Sequence, residues 1–260
     1  MSTSTTLETA GDASRPNIDL DGIGRWHPYL KSVMSPLTRF LWRVRIEGGE
    51  NLPTDGPAII APNHVSFLDS MFLMMLLPRR ITFVGKAEYL DDWKTRTLFP
   101  AMGMIPIDRK GGKSAMSALD AAEQVLQRGE LFGIFPEGTR SRSGDLYKGH
   151  TGMARLSLAT GAPIIPTGIV GTDQIQPPDA PVPRPFRPAS ITFGRPIVPS
   201  RYTEGGPDRL VQRRITDEVM FEIRSMTGQR YVDRYATRKA QTAPTETARI
   251  ESRELVTTGS

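Results

Sequence analysis

An imidazole and a carboxylate, His64 and Asp69, lie five residues apart in the segment NHVSFLD at 63–69. Five residues correspond to about 140° of rotation on a continuous helix, so the two side chains would diverge if both were helical. They can meet only if His64 lies in a turn and Asp69 lies in the first helical turn. The carboxylate would then accept a hydrogen bond from one ring nitrogen and leave the other free to act as a general base.

Asp69 also has a purely structural alternative. The pattern Ser66-x-x-Asp69 resembles a capping box, in which a carboxylate in the first helical turn only satisfies free backbone N–H groups. Both roles can coexist, because a carboxylate has two oxygens. The other imidazoles are weaker candidates for a base. We expect His150 to be a loop or helix-start residue, and His27, which lies among aromatic residues, to be packed or interfacial.

The elements around this pair predict its place in the fold. From Ile46 onward, short apolar runs rich in β-branched residues alternate with helical patterns, which predicts a single α/β domain over 46–235 with a central, mostly parallel β-sheet flanked by helices. The predicted strands are 44–47, 58–62, 81–85, 104–107, 131–136, 164–170 and 190–193, and the predicted helices are 67–77, 114–128, 151–160 and 208–226. His64 then follows a strand, at the edge where open α/β sheets place their ligand crevices.

The composition excludes several kinds of site. The 260 residues include no cysteine and three histidines, which excludes disulfide scaffolds, thiolate metal sites and cysteine nucleophiles and disfavours a multi-histidine metal centre. We therefore expect neither a metal nor an organic cofactor. The Gly-x-Ser-x-Gly elbow of hydrolases is absent from the sequence. A phosphate-binding loop ending at 112–114 (GKS) is rejected, because position 107 is Ile where that motif needs Gly.

The net charge of +5 is concentrated near the N-terminus. Residues 22–46 carry five cations and no acidic residue, and the apolar residues of 23–45 recur at helical spacing, with Pro36 expected to start or kink a turn. Basic and aromatic residues on one amphipathic helix are typical of a segment that lies in a membrane interface. The alternative is a helix that packs its apolar stripe on the domain and leaves its cations in solvent.

Three other segments complete the predicted organisation. We expect disordered residues at 1–22 and 236–260, and an extended surface connection at 177–188, because six prolines exclude a regular internal helix or strand there. No apolar run reaches the about 20 residues of a membrane-spanning helix. Residues 1–19 lack the regions of a secretory signal. We therefore expect a peripheral protein on the cytoplasmic face of the cell membrane.

Four short blocks between residues 63 and 168 follow the order seen in one enzyme family. Asn63, His64 and Asp69 match NHxxxxD, residues 103–109 (GMIPIDR) match a block that runs from glycine to arginine, residues 135–141 read FPEGTRS, and residues 164–168 (IIPTG) match an apolar strand with an internal proline. On these blocks the chain resembles the glycerolipid acyltransferases, which include the 1-acylglycerol-3-phosphate acyltransferases. The resemblance covers about residues 40–230.

This resemblance implies transfer of a fatty acyl group from a thioester of coenzyme A or acyl carrier protein to the free hydroxyl of a lysophospholipid. We expect the acceptor to be 1-acyl-glycerol-3-phosphate, which would give phosphatidic acid. The resemblance also implies that His64 is the base and Asp69 its partner. The second and third blocks, including Thr139, would form the acceptor site.

Cations in these blocks suit an acceptor that carries a phosphate. Arg109 and Arg140 each follow a predicted strand and can clamp a phosphate with charge-assisted, bidentate hydrogen bonds, and Lys86 is a third candidate. Each of them can instead form a surface ion pair. Gly138 permits close approach of the backbone to a ligand, or serves only a turn. Glu137 cannot bind phosphate, so we expect it to orient Arg140 or to hold the turn.

Two other functions stay open on the sequence alone. One is an acyltransferase for another lysophospholipid or a lipid alcohol, because arginines do not distinguish a phosphate monoester from a diester. The other is a non-catalytic protein that binds a membrane surface. Nucleic-acid binding is disfavoured, because it calls for a broad basic face rather than one basic, aromatic segment beside an intact NHxxxxD block.

Overall fold

A computed structural model of the chain describes residues 27–86, 103–107, 114–177, 180, 182–205 and 209–237. The predicted disorder at 1–22 lies outside these residues, as does most of the predicted tail at 236–260. Arg109 lies outside them too, and Lys86 is described by its backbone alone.

Seven of the nine described strands form one large sheet with β2 at its centre. The elements are β1 (Val44–Glu47), β2 (Ala58–Pro62), β3 (Ile81–Lys86), β4 (Met104–Ile107), β5 (Leu131–Gly133), β6 (Leu146–Tyr147), β7 (Ile164–Val170), β8 (Ala189–Phe193) and β9 (Tyr231–Val232). The sheet order is β1-β8-β7-β2-β5-β3-β4, and β6 pairs with β9 separately. All neighbours in the sheet are parallel except β7 and β8. The prediction of a mostly parallel central sheet is confirmed.

Helices cover both faces of this sheet. They are α1 (His27–Leu41), α2 (Leu68–Leu76), α3 (Ser114–Gln127), α4 (Gly152–Thr160), α5 (Thr172–Ile175) and α6 (Arg209–Thr227), with short 3-10 turns at Gly49–Asn51 and Pro199–Gly205. Every residue of β2 is buried, as expected for a central parallel strand. Ile59 and Ala61 pack with α3, α4 and α6, whereas Ala58 and Ile60 pack with α2 on the opposite face.

Some elements differ from the sequence prediction. The strand predicted at 131–136 ends at Gly133, because the chain turns at Phe135, whose carbonyl accepts the N–H of Gly138 at 3.0 Å. The two-residue strands β6 and β9 and the four-residue α5 were not predicted. Segments this short carry no readable periodicity.

The amphipathic segment forms α1, which runs through Pro36 as one helix. Its inner side packs on α2, where Thr38 is 1% exposed. Lys31 Nζ donates to the carbonyls of Leu77 and Pro78. The outer side leaves four large side chains 44–74% exposed: Tyr29, Val33, Leu37 and Phe40. The helix therefore packs on the domain, as one alternative held, and still presents an apolar outer face.

Among the described helices, none combines the length and the apolar character needed to span a membrane.

The topology brings three loops to one edge of the sheet. β7, β2 and β5 are adjacent and parallel, so their carboxyl ends open on the same side. The residues that follow them are 171–176, 63–69 and 134–141, respectively. The NHxxxxD and FPEGTRS blocks are therefore brought to one edge of the domain.

Candidate active site

His64 and Asp69 meet at the carboxyl end of β2. His64 lies in the turn between β2 and α2, and Asp69 lies in the first turn of α2. The distance between His64 Nδ1 and Asp69 Oδ2 is 2.9 Å. The Asp69 side chain is completely buried, whereas the His64 side chain is 19% exposed. The contact expected from the sequence is formed, and the ring is partly open to solvent.

The contact with Asp69 determines which ring nitrogen of His64 carries the proton. An ionised carboxylate only accepts hydrogen bonds, so Nδ1 carries the proton. Nε2 then presents a lone pair, and no described residue forms a hydrogen bond with it. An imidazole in this state can take a proton from an alcohol.

The Asp69 carboxylate also organises the start of α2. Its Oδ2 accepts the backbone N–H groups of Val65 and Ser66, both at 2.8 Å. Its Oδ1 accepts the hydroxyl of Thr172 at 2.5 Å. The capping role and the contact with His64 therefore coexist on one side chain, as its two oxygens allow.

The FPEGTRS loop holds His64 through its ring and its backbone. The Phe135 ring stacks on the imidazole, with centroids 3.8 Å apart and an interplanar angle of 17°. The backbone N–H of Ser141 donates to the His64 carbonyl at 2.7 Å. The backbone N–H of His64 donates to Glu137 Oε1 at 3.1 Å. These three contacts fix the turn that presents Nε2.

Glu137 is a buried clamp between two loops. Its side chain is nearly inaccessible, and its Oε2 accepts the backbone N–H of Tyr147 at 2.9 Å. Burial raises the pKa of Glu137 to about 8; the two N–H donors oppose this shift, and the charge of Asp69 adds to it. Of the two roles expected for Glu137, the structure supports holding the turn, because no described contact joins it to Arg140.

The raised pKa of Glu137 predicts a pH-dependent stability. The folded protein binds this proton more tightly than the unfolded chain, so the stabilisation is complete below the ordinary pKa of 4.5 and is lost as the pH rises through about 8. We expect the free energy of unfolding to fall by on the order of 4 kcal/mol across this window from this group. Urea unfolding of the wild type and Glu137→Gln at several pH values measures the effect. Parallel pH profiles for the two proteins would contradict it.

The next residues of the third block line the surface beside this clamp. Gly138 has a φ of 71°, and a Cβ added there would lie 3.1 Å from His150 Cδ2, so the turn requires glycine. Thr139 is exposed and Arg140 is half-buried. Among the described residues, the Arg140 guanidinium has no hydrogen-bond or ion-pair partner. Arg140 is thus free to meet a ligand one residue from the Ser141 N–H that contacts the His64 turn.

The other two predicted cations are described less fully. Lys86 is the last residue of β3 and pairs in register with Ile107, the last residue of β4. The backbone of Lys86 therefore lies at the carboxyl edge of the sheet, two strands away from β2. Arg109 follows β4 by two residues and lies outside the described chain. The contribution of both cations to the site stays a prediction.

Comparison with known proteins now identifies the family. The model of the family described as Acyltransferase matches residues 43–170, a span that includes both His64 and Asp69. Residues 43–170 thus belong to the acyltransferase family.

Three of the similar proteins are named as 1-acyl-sn-glycerol-3-phosphate acyltransferases. The 1-acyl-sn-glycerol-3-phosphate acyltransferase of Borreliella burgdorferi is 30% identical over 131 residues, which cover 50% of this chain and 52% of that protein. The human 1-acyl-sn-glycerol-3-phosphate acyltransferase alpha is also 30% identical over 131 residues, 49% of this chain and 46% of its own. The chloroplastic LPAT1 of Arabidopsis thaliana is 29% identical over 155 residues, 59% of this chain and 43% of its own. The chain spans about half the length of these curated relatives.

A solved structure shares the fold of this acyltransferase. The crystal structure of the 1-acyl-sn-glycerophosphate acyltransferase PlsC from Thermotoga maritima aligns with a TM-score of 0.59 at 24% identity. The alignment covers 75% of this chain and 78% of that one. At this identity the likeness establishes the architecture.

Two side chains that support the acyltransferase site were not predicted. Thr172 follows β7 and holds Asp69 Oδ1; its position at the end of a neighbouring parallel strand was a usable signal. Gln229 joins the first block to the loop after the third block: its Oε1 accepts Asn63 Nδ2 at 3.0 Å, and its Nε2 donates to the Gly144 carbonyl at 2.7 Å. No sequence signal points to Gln229, because its partners are more than 80 residues away.

The C-terminal segment 228–237 continues this support outside the matched family region. β9 pairs with β6, which lies in the loop after the third block. Three side-chain contacts join the two segments: Arg230 with Asp145 at 2.8–2.9 Å, Lys148 with Asp233 at 2.8 Å, and Tyr235 stacked on His150 at 4.5 Å. His150 lies in the loop two residues before α4, which agrees with its predicted place in a loop or at a helix start. Among the described residues, no three His, Cys, Asp or Glu side chains are placed to hold a metal ion.

Proposed function

We propose that the protein transfers a fatty acyl group from acyl-CoA or acyl-ACP to the free hydroxyl of 1-acyl-glycerol-3-phosphate, giving phosphatidic acid. The observation that carries this proposal is the 2.9 Å contact between His64 Nδ1 and Asp69 Oδ2 at the carboxyl end of β2. It supports a base at Nε2. The names of the similar proteins support the choice of acceptor.

In the proposed reaction, His64 Nε2 takes the proton of the acceptor hydroxyl while that oxygen attacks the thioester carbonyl carbon. Asp69 stabilises the imidazolium that forms. The new C–O bond produces a tetrahedral oxyanion, and its collapse breaks the C–S bond. The departing thiolate takes the proton back from Nε2, which leaves an ester, a thiol and a neutral imidazole. A positioned base contributes about 10²- to 10⁴-fold to such a rate, and binding both substrates together supplies much of the rest.

The acceptor phosphate would bind beside the third block. The half-buried guanidinium of Arg140, which has no partner among the described residues, supports this placement, because it can form two charge-assisted hydrogen bonds with a phosphate. Arg109 and Lys86 would add charge from the ends of neighbouring strands. Gly138 and Thr139 would contact the acceptor directly, while Glu137 holds the turn beneath them.

An assay of the purified protein tests this proposal. We expect acylation of 1-acyl-glycerol-3-phosphate with at least one of the two thioester types, followed by mass spectrometry of the lipid product. Lysophosphatidylcholine and lysophosphatidylglycerol, which carry phosphate diesters, should react much more slowly. If the protein prefers a diester or an uncharged lipid alcohol, that lipid is its acceptor and 1-acyl-glycerol-3-phosphate is not. Absence of transfer from either thioester to every acceptor would favour a non-catalytic membrane protein.

We also propose peripheral attachment to the cytoplasmic face of the membrane through α1. Its exposed apolar residues recur at 29, 33, 37 and 40, which places them on one side of the helix. The basic stretch around them carries no acidic residue between 22 and 46. An apolar helical face with flanking arginines suits the interface of an anionic bilayer.

Changing this face should release the protein from vesicles. We expect the double variant Val33→Asp with Phe40→Asp to lose most binding in co-sedimentation with phosphatidylglycerol-containing vesicles, because two apolar contacts become anionic. The matched control is Leu210→Asp on α6, since Leu210 is 65% exposed and Val33 is 67% exposed. Equal vesicle binding by the wild type and the double variant would contradict attachment through α1.

A further inference from the structure

Phe186 combines two features that are unfavourable in an isolated protein. It is the non-glycine residue with a positive φ, 59°, among the residues described. Its side chain is also 64% exposed. The left-handed region is costly for a residue with a Cβ and is normally occupied by Gly or Asn. An aromatic ring held in this conformation and left in water gains no packing that would compensate, which suggests a role outside the fold itself.

The turn that carries Phe186 is fixed against the end of α1. The backbone N–H of Phe186 donates to the Leu41 carbonyl at 2.7 Å. The indole Nε1 of Trp42 donates to the Arg184 carbonyl at 2.8 Å. The backbone N–H of Arg184 donates in turn to the Ile175 carbonyl at 2.7 Å. The turn is therefore a positioned element rather than a free connection, although it contains no helix or strand, as its prolines predicted.

The same turn is linked to the candidate active site. It belongs to the connection between β7 and β8, which begins at Thr172, the residue that holds Asp69 Oδ1. Farther along, the Gln176 carbonyl accepts the hydroxyl of Ser66 at 3.0 Å. The same connection thus contains both Thr172, which contacts Asp69, and Phe186, which contacts the end of α1.

The surface around Phe186 has the composition of a lipid contact. Val182 in the same turn is 70% exposed, and Phe40 near the end of α1 is 74% exposed. Four arginines flank these apolar side chains in the two segments, and all are exposed: Arg39, Arg43, Arg184 and Arg187. Exposed apolar side chains that alternate along the chain with exposed arginines match an anionic bilayer surface, where the apolar groups enter the headgroup region and the cations meet the phosphates.

We propose that the turn 182–187, with Phe186 at its tip, is a second membrane contact. It binds an anionic phospholipid bilayer together with the outer face of α1. This inference rests on the proposed function for its choice of a lipid occupant. Two contacts anchor the domain at two points instead of one. Because the turn continues from the Thr172 connection, they would hold the His64 end of the sheet close to the bilayer that contains a lysolipid acceptor.

The test uses Phe186→Asn in the full-length protein. Asn tolerates a positive φ, so we expect the melting temperature to rise by about 2–4 °C. We expect binding to mixed phosphatidylcholine and phosphatidylglycerol vesicles to weaken about tenfold, because one aromatic contact is lost. Phe186→Trp keeps a ring at this position and should retain binding. Phe221→Gln on α6 is the matched control, since Phe221 is also 64% exposed, and it should bind vesicles like the wild type.

Several outcomes would overturn the inference. If Phe186→Asn binds vesicles as tightly as the wild type, the turn does not contact the membrane. The same conclusion follows if Phe221→Gln weakens vesicle binding as much as Phe186→Asn does. If Phe186→Asn lowers the melting temperature by several degrees, the Phe186 ring stabilises the folded protein instead of contacting lipid. If the wild type is a dimer and Phe186→Asn is a monomer that still binds vesicles, the surface around Phe186 binds a second copy of the chain instead of a membrane.

A separate readout keeps this inference distinct from the proposed reaction. Acyl transfer to a short-chain lysophosphatidic acid, dispersed below its micelle concentration, should be the same for Phe186→Asn and the wild type. If no protein transfers acyl groups, the proposed function fails, while the vesicle measurements still decide the role of the turn. If Phe186→Asn is slower than the wild type by the same factor on dispersed and on vesicle-bound substrate, the turn affects the reaction site. The proposal of a membrane contact is then wrong.

Discussion

Purified His64→Ala is expected to transfer acyl groups about 10²- to 10⁴-fold more slowly than the wild type. The reason is that Nε2 of His64 is the proposed acceptor of the hydroxyl proton, and no described side chain forms a hydrogen bond with that nitrogen. The loss should appear in kcat, because the base acts in the transition state. Initial rates with 1-acyl-glycerol-3-phosphate at saturating thioester measure it.

The result requires a protein that remains folded. His64 is partly exposed and packs on Phe135, so its removal should lower the melting temperature only modestly. His150→Ala provides a comparison, since this second imidazole lies beside Gly138 in the third block and stacks on Tyr235. We expect it to lower the rate far less. Near wild-type transfer by folded His64→Ala would show that another group removes the proton.

Asp69 variants should separate the two roles of this carboxylate. Asp69→Ala removes the acceptor for the N–H groups of Val65 and Ser66 and for the hydroxyl of Thr172, all at a buried site. Buried donors without partners cost about 1–3 kcal/mol each, so we expect the unfolding free energy to fall by several kcal/mol. Asp69→Asn keeps one acceptor oxygen and the side-chain volume, so it should remain folded.

Asp69→Asn should nevertheless be a poor enzyme. A neutral amide does not stabilise the imidazolium and no longer fixes the ring proton on Nδ1, so we expect kcat to fall by about 10²-fold or more. Urea unfolding and steady-state rates on the same preparations give both quantities. If the Asn variant is folded and fully active, Asp69 is a capping residue alone, and the proposed partnership with His64 is wrong.

Most of the sheet was predictable because its strands are locally consistent. β1, β2, β4 and β7 begin and end where the apolar, β-branched runs do, and β2 is buried along its whole length. The position of His64 followed from the same pattern, since a turn after a buried parallel strand lies at the ligand edge. Its contact with Asp69 needed only the short spacing between the two.

The parts that could not be predicted depend on distant pairing. β6 and β9 are two residues each and exist because they pair with one another. The choice between the two roles of Glu137 depended on where the Tyr147 N–H lies, which no local pattern encodes. Gln229 illustrates the same limit, because its amide joins Asn63 to the loop at Gly144 from the far end of the chain. Local spacing predicts neighbours in sequence, and these contacts join neighbours in space.

The segment 228–237 also determines when the site can be completed as the protein is made. The blocks that carry His64 and Glu137 leave the ribosome before Gln229 and β9. At usual translation speeds the interval between residues 141 and 237 is on the order of 5–20 s. During that time the loop after the third block lacks the strand and the ionic contacts that later hold it. The edge of the sheet that carries His64 therefore stays incomplete until residues 228–237 have been made, and a chain released before that point would lack these contacts.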